Sequence, residues 1–353
     1  MDKYNYKTFE YKKINGTQPV LLDVFFPVVP ATDKVVPLPV VVHFHGGGLV
    51  VGNRQSFMPT WLVDRVLELG YAFISADYSL LFPATAKEIV EDVQDVFKFV
   101  ASTEIKGDDY TFKLDGDRIA VAGGSAGGLC TYLAAAHCTP RPKVLVSLYG
   151  LGGNFFSEHR LKVHTGDFSM MGQTIRHIDP SEVADLTFPY PAGIPRVETD
   201  IPVTDDDLMA PTDERVIKRM KLSTFLMQEG KNLDYYTGLH SPSISDAFRQ
   251  ILMKEDRTFD DFRRALPKDK HGLLPQLCID ANWPPSMLLH GTSDNLVLIE
   301  SSQNIRDALK AVGVYVELIE IAGQDHGFDL VPDAEDKYRA EFDRVKDFIR
   351  VNI

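Results

Sequence analysis

Cysteine is scarce in this chain of 353 residues, limited to Cys130, Cys138 and Cys278. Three scattered thiols exclude a disulfide framework and a cysteine-rich zinc site, so they read as reduced and buried. Missing too is any run of about 18 apolar residues, which excludes a membrane-spanning helix. The segment Met1 to Lys7 lacks the basic-then-apolar order of a secretory leader, so the reading is a soluble, cytoplasmic protein. For the same reason Asn15-Gly16-Thr17, which fits a glycosylation acceptor, carries little weight. Positive charge is the minority: 37 Lys and Arg stand against 50 Asp and Glu, a net charge of -13. Such a balance repels phosphate backbones and anionic lipid, which excludes nucleic acid as a partner. Internal repeats and low-complexity tracts are absent as well.

What is there is the composition of an ordinary soluble globular protein, 44% hydrophobic and 25% charged. Two runs, around Tyr4 to Tyr11 and Val20 to Phe26, predict an antiparallel hairpin at a sheet edge. The β-branched run Pro39 to His45 predicts a strand buried on both faces. Alternation follows: a helix near Phe57 to Leu69, a strand at Ala72 to Asp77, and a helix after Pro83. In the last, Ile89, Val93, Val96, Phe97 and Val100 share one face, and Pro83 suits the first turn. A strand at Arg118 to Ala122 runs through a glycine-rich turn into the alanine-rich helix Leu129 to Cys138, and a strand at Val144 to Tyr149 follows. From 151 to 282 the rhythm breaks into a segment rich in proline, aromatics and acids, too long for a loop. It resumes with strand Met287 to His290, helix Glu300 to Ala311, strand Tyr315 to Ile321 and a final helix bearing Tyr338, Phe342, Val345, Phe348 and Ile349. The expectation is an α/β fold, a mostly parallel sheet with helices on both faces. Residues 1–150 and 283–353 form its core and 151–282 an inserted cap. Sites in such sheets lie at the carboxyl ends of the strands.

Gly123-Gly124-Ser125-Ala126-Gly127 fits G-x-S-x-G, in which glycines permit a strained turn that lifts a serine hydroxyl above the sheet. The strand before it and small-residue helix after it are the context a nucleophile elbow requires. Far upstream, His45-Gly46-Gly47-Gly48 closes the first core strand. Glycines there let backbone N–H groups face a substrate oxygen, so the N–H groups of Gly47, Gly48 and Ala126 are the expected oxyanion hole. No Lys-Ser/Thr follows, which sets a phosphate loop aside. Serine needs a base, and the base an orienting acid. Of ten histidines, His326 stands in a loop just after the last strand, and Asp294 in the loop after the preceding one. His43 reads as core, His45 as a loop brace, and His271 and His290 as structural. Asp280 and Asp325 compete with Asp294 less well, since the first precedes its strand and the second adjoins the base.

Together these motifs, with Asp325-His326-Gly327-Phe328, resemble the hormone-sensitive lipase-like family of α/β-hydrolase esterases, over about residues 20 to 150 and 283 to 353. The resemblance implies an acyl-enzyme mechanism on small-molecule esters of short or medium acyl chain, with no cofactor and no metal. Three departures stand out: Gly124 where the family commonly has an acid, no helical N-terminal cap, and only a partial match at Asp77 to Pro83. Segment 151–282 would have to do the capping, where Phe155, Phe156, Phe168, Met170 and Met171 either line an acyl pocket or pack the cap onto the core. The same triad serves amidases, formamidases and acyltransferases. A catalytically dead ligand receptor would lack a triad member, and none is missing. A monomer and a homodimer both fit.

Overall fold

The computed structural model describes all residues except 1–2, 29–31, 33, 108–109, 171, 191–192, 194–195 and 205–210, and the side chain of Met170 is likewise left aside. The chain opens with β1 (Tyr6–Ile14) and β2 (Gln18–Phe25), an antiparallel hairpin at the sheet edge. Asn15 and Gly16 turn it with φ of 51° and 72°, the left-handed pair that this dipeptide tolerates well. Then come β3 (Val36–Phe44), α1 (Thr60–Glu68), β4 (Ala72–Ala76) and α2 (Ala86–Ser102). The short β5 (Glu104–Lys106), which the sequence did not suggest, pairs antiparallel with β6 (Thr111–Gly124). After β6 come α3 (Ala126–His137) and β7 (Val144–Leu148). The later part adds β10 (Ser286–Gly291), α9 (Glu300–Ala311), β11 (Val316–Ile321) and α10 (Ala334–Asn352). The main sheet runs β1-β2-β4-β3-β6-β7-β10-β11, parallel from β4 onward.

Alternate residues of the same strand enter opposite cores, as a strand's two-residue period demands. Val40, Val42 and Phe44 pack with α2, α3 and α9 on one face, whereas Val41 packs with α1 and α10 on the other. The predicted apolar stripe of α2 is buried in full; each such side chain contributes about 1.5–3 kcal/mol. Its start differs from expectation. Pro83 precedes the helix, and Thr85 is the N-cap in a capping box with Glu88, because the side chains of those two residues satisfy the free N–H groups that a proline in the first turn would only have removed.

Between β7 and β10 the described residues of 151–282 add no strand to the main sheet. They form α4 (Glu158–Leu161), a hairpin of β8 (Phe168–Met170) and β9 (Gln173–Ile175), α5 (Glu214–Gln228), α6 (Asn232–Thr237), α7 (Ile244–Leu252), α8 (Phe259–Ala265) and three-residue to six-residue 3-10 turns. Phe155, Leu222, Phe225 and Tyr236 of this segment belong to the same apolar cluster as α2 and α3. The segment therefore shares its core with the sheet. Among the described residues no helix is long and apolar enough to cross a membrane.

Candidate active site

The motifs around Gly47, Ser125, Asp294 and His326 each lie just past the carboxyl end of a parallel strand. Ser125 follows β6 with φ 54° and ψ -118°, a strained conformation for a residue with a side chain. It is held there from both sides: its N–H donates to the Leu148 carbonyl at 3.0 Å, and its carbonyl accepts from Gly128 and Leu151 at 3.0 and 2.8 Å. The flanking glycines are required by contact. A Cβ on Gly127 would lie 1.9 Å from the Phe44 carbonyl oxygen, and one on Gly123 2.4 Å from the Gly127 backbone. Only bare backbone lets α3 start this close to β3. Gly124, the family's acidic position, faces the Tyr149 ring, whose hydroxyl would stand 3.1 Å from an added Cβ.

The glycine run after β3 turns with φ 96° at Gly47 and 63° at Gly48. A Cβ on Gly47 would fall 2.1 Å from the Val51 carbonyl oxygen. The Gly47 carbonyl accepts from Val50 and Val51 at 3.0 and 3.2 Å, while the N–H groups of Gly47 and Gly48 have no protein acceptor among the described residues. That of Ala126 opens α3, where no intrahelical acceptor exists. His45 braces the loop as expected: it is buried, its Nδ1–H donates to Gly46 at 2.7 Å and its ring stacks on Tyr78. His43 is buried against Phe73 and Ser75. Burial pushes His43 down to about 3 and His45 to about 4, so both stay neutral.

Asp294 and His326 are brought together. His326 Nδ1 donates to Asp294 Oδ2 at 2.7 Å, and the other carboxylate oxygen accepts from the Leu296 and Val297 N–H groups at 3.0 and 2.9 Å. Burial opposes ionisation of Asp294, but hydrogen bonds from His290 and His326 outweigh it and hold the carboxyl well below its usual range. His290 is a buried brace: its Nε2–H is shared between the Val297 carbonyl at 2.7 Å and Asp294 Oδ2 at 3.2 Å, and its Nδ1 accepts from Ser302. The loops that carry Asp294 and His326 are stitched by Ser293 N–H to the Gln324 carbonyl and Gly323 N–H to Thr292 Oγ1. The rivals are occupied elsewhere: Asp280 pairs with Arg141, and Asp325 accepts the His326 N–H.

Ser125, His326, Gly47 and Gly48 line one cavity of about 570 Å³, walled mostly by apolar side chains. No hydrogen bond joins Ser125 Oγ to His326 among the described residues; such links often tighten only when substrate is bound. Of the aromatic candidates, Phe155 lines this cavity and Phe168 a neighbouring one, whereas Phe156 packs within the segment on Phe248, Phe259 and Phe262. Met171 and the side chain of Met170 lie outside what is described. Sequence reasoning missed Asp329. Its carboxylate accepts from Tyr149 Oη at 2.6 Å and from Trp61 Nε1 at 3.0 Å, and Tyr149 lies edge-on to His326. The only signal was its place three residues after His326, since its partners come from distant parts of the chain.

Comparison with known proteins bears on this arrangement. A protein of a Phoma species named "Probable carboxylesterase M8" is 30% identical over 330 residues, covering 91% of this chain and 88% of its own. The chain belongs to the carboxylesterase family of α/β-hydrolases. The BD-FAE family model matches residues 22–146 of this family member, from β2 to β7. An α/β-hydrolase superfamily protein from Enterococcus faecalis has the same fold, with a TM-score of 0.57, 17% identity and 98% of each chain covered. The chain also aligns within non-reducing polyketide synthases. One from Aspergillus calidoustus is 25% identical over 346 residues. The chain spans 13% of that synthase and 7% of another from Preussia isomera.

Proposed function

We propose that this carboxylesterase-family chain hydrolyses carboxylic esters through an acyl-enzyme on Ser125, with His326 as base and Asp294 orienting it. The observation that carries the reading is the 2.7 Å bond from His326 to a carboxylate kept ionised, on the rim of the cavity that holds the strained Ser125. Asp294 holds the proton on Nδ1, which leaves Nε2 free to accept one. Ser125 Oγ attacks the ester carbonyl carbon as His326 takes its proton. The resulting oxyanion is received by the N–H groups of Gly47, Gly48 and Ala126. Collapse expels the alcohol, which takes the proton back from His326. Water, deprotonated by the same imidazole, then attacks the acyl-enzyme, and collapse releases the acid as Ser125 Oγ takes that proton back from His326. The scheme draws on no cofactor. Segment 151–282 acts as the cap in this reading, lending Phe155, Met220, Met227 and Tyr236 to the cavity, whose size suits a short or medium acyl chain on a small-molecule ester.

The alignment with polyketide synthases favours a second reading, transfer of a polyketide acyl group from the same serine to an alcohol. Hydrolysis of p-nitrophenyl esters of graded chain length, with and without added alcohol, separates the two. The wild type is expected to turn over, and Ser125→Ala to lose roughly a thousandfold or more. A folded wild type inactive on every ester would overturn the hydrolase reading.

A further inference from the structure

Arg160 sits in α4, partly buried, on the wall of the catalytic cavity. It is the one Lys or Arg among the described residues that line it. Its guanidinium makes no ion pair and no hydrogen bond among the described residues; only its backbone N–H is engaged, with Ser157. Acids are not in short supply, since the chain carries 50 of them against 37 bases. The other enclosed arginines are satisfied. Arg54 pairs with Asp23 and Asp77, Arg65 with Glu335 and Asp343, and Arg219 gives its nitrogens to three backbone carbonyls. An enclosed cation left unpaired is costly, so its retention at a catalytic cavity points to a partner that arrives with the substrate.

A second pocket of about 430 Å³ lies behind it and shares Arg160, Met227, Asn232 and Leu296 with the first. Its lining is polar and adds Lys162, which has no acidic partner among the described residues. Its single acid, Asp167, accepts the His177 N–H. The apolar chamber at Ser125 thus shares Arg160 with a neighbouring, more polar chamber that a second cation, Lys162, also lines.

We infer that the site selects esters carrying a carboxylate remote from the reacting carbonyl, and that Arg160 binds that carboxylate. This rests on the ester-hydrolase reading above. The planar guanidinium fork matches a carboxylate with two parallel hydrogen bonds. The apolar body of the substrate fills the chamber between Ser125 and Arg160. Arg160 also feels the charge of Asp294, so a role in supporting the triad is the competing explanation. Asp294, however, already has His290, His326 and two backbone N–H groups.

The test compares p-nitrophenyl hexanoate with the mono-p-nitrophenyl ester of hexanedioic acid, on wild type, Arg160→Met and Arg160→Lys. Arg160→Met is expected to lower kcat/KM on the anionic ester by about ten- to a hundredfold, through KM. The neutral ester should be nearly unaffected, and Arg160→Lys should recover part of the loss. Equal loss on both esters would assign Arg160 to the triad and overturn the inference, as would unchanged selectivity. Calorimetry on Ser125→Ala needs no turnover. Tighter binding of monomethyl than dimethyl decanedioate, abolished by adding Arg160→Met, upholds the carboxylate site even if wild type hydrolyses no ester. Equal binding of the two overturns it while leaving hydrolysis standing.

Discussion

Asp294 shows how burial and hydrogen bonding compete at one carboxylate. Burial alone would raise its pKa; the bonds from His290 and His326, the charge of His326 and the Val297 N–H win, and the folded value lies below the ordinary 3.8. Linkage fixes the sign. A carboxyl whose folded pKa is depressed contributes stability that is complete above its unfolded value and lost as pH falls toward the folded one. Asp294→Asn is therefore expected to be less stable than wild type at pH 7, with the gap narrowing below about pH 4, where the wild-type carboxyl begins to protonate in the unfolded state. Urea titrations at pH 7 and pH 3 measure this, and a gap independent of pH would contradict it. The same variant should lose about a thousand- to ten-thousandfold in kcat, because an amide stabilises the wrong histidine tautomer.

Helix α5 holds the glycine loop after β3 from outside the sheet. Its buried Arg219 donates to the carbonyls of Val50, Leu81 and Phe82, tying the turn after the glycine run to the loop before α2. Arg219→Met leaves those carbonyls unpaired and is expected to cost about 2–4 kcal/mol of stability. It should also lower kcat more than it raises KM, since in the proposed mechanism the loosened turn carries the Gly47 and Gly48 donors. Unfolding midpoints and steady-state kinetics check both; a destabilised variant with full kcat would show that the loop holds its shape without α5. At this scale the sequence was informative where period and punctuation agreed. The stripe of α2 and the double-sided run of β3 were both legible. The start of α2 was not: the reading put Pro83 in the first turn, whereas side-chain capping by Thr85 and Glu88 starts the helix at Ala86. The pairing of β5 was invisible as well, since a three-residue strand has no period to read.

For the whole molecule, the continuous apolar cluster that joins 151–282 to α2 and α3 predicts cooperative unfolding despite the interrupted βα rhythm. The two tryptophans report on opposite faces of the sheet: Trp283 lies in that cluster, and Trp61 stacks on Phe342 in the other. Single-tryptophan proteins carrying Trp61→Phe or Trp283→Phe should show fluorescence transitions coincident with each other and with circular dichroism. Separated midpoints would instead make 151–282 an independent folding unit.

What the sequence determined by itself was local or ordered along the chain. The elbow at Ser125, the glycine turn at Gly47 and Gly48, and the succession serine, acid, histidine all follow from residues adjacent in sequence or from the alternation of strands and helices. Only the tertiary structure decided which groups meet across the fold. It closed His326 onto Asp294, set Tyr149 and Trp61 on Asp329, brought Arg219 to the glycine loop after β3 and left Arg160 without an ionic partner among the described residues, on the wall of the cavity that Ser125 lines. Backbone conformation answers to near neighbours in the chain, whereas the partner of a buried polar side chain is whichever group the packed core brings within about 3 Å.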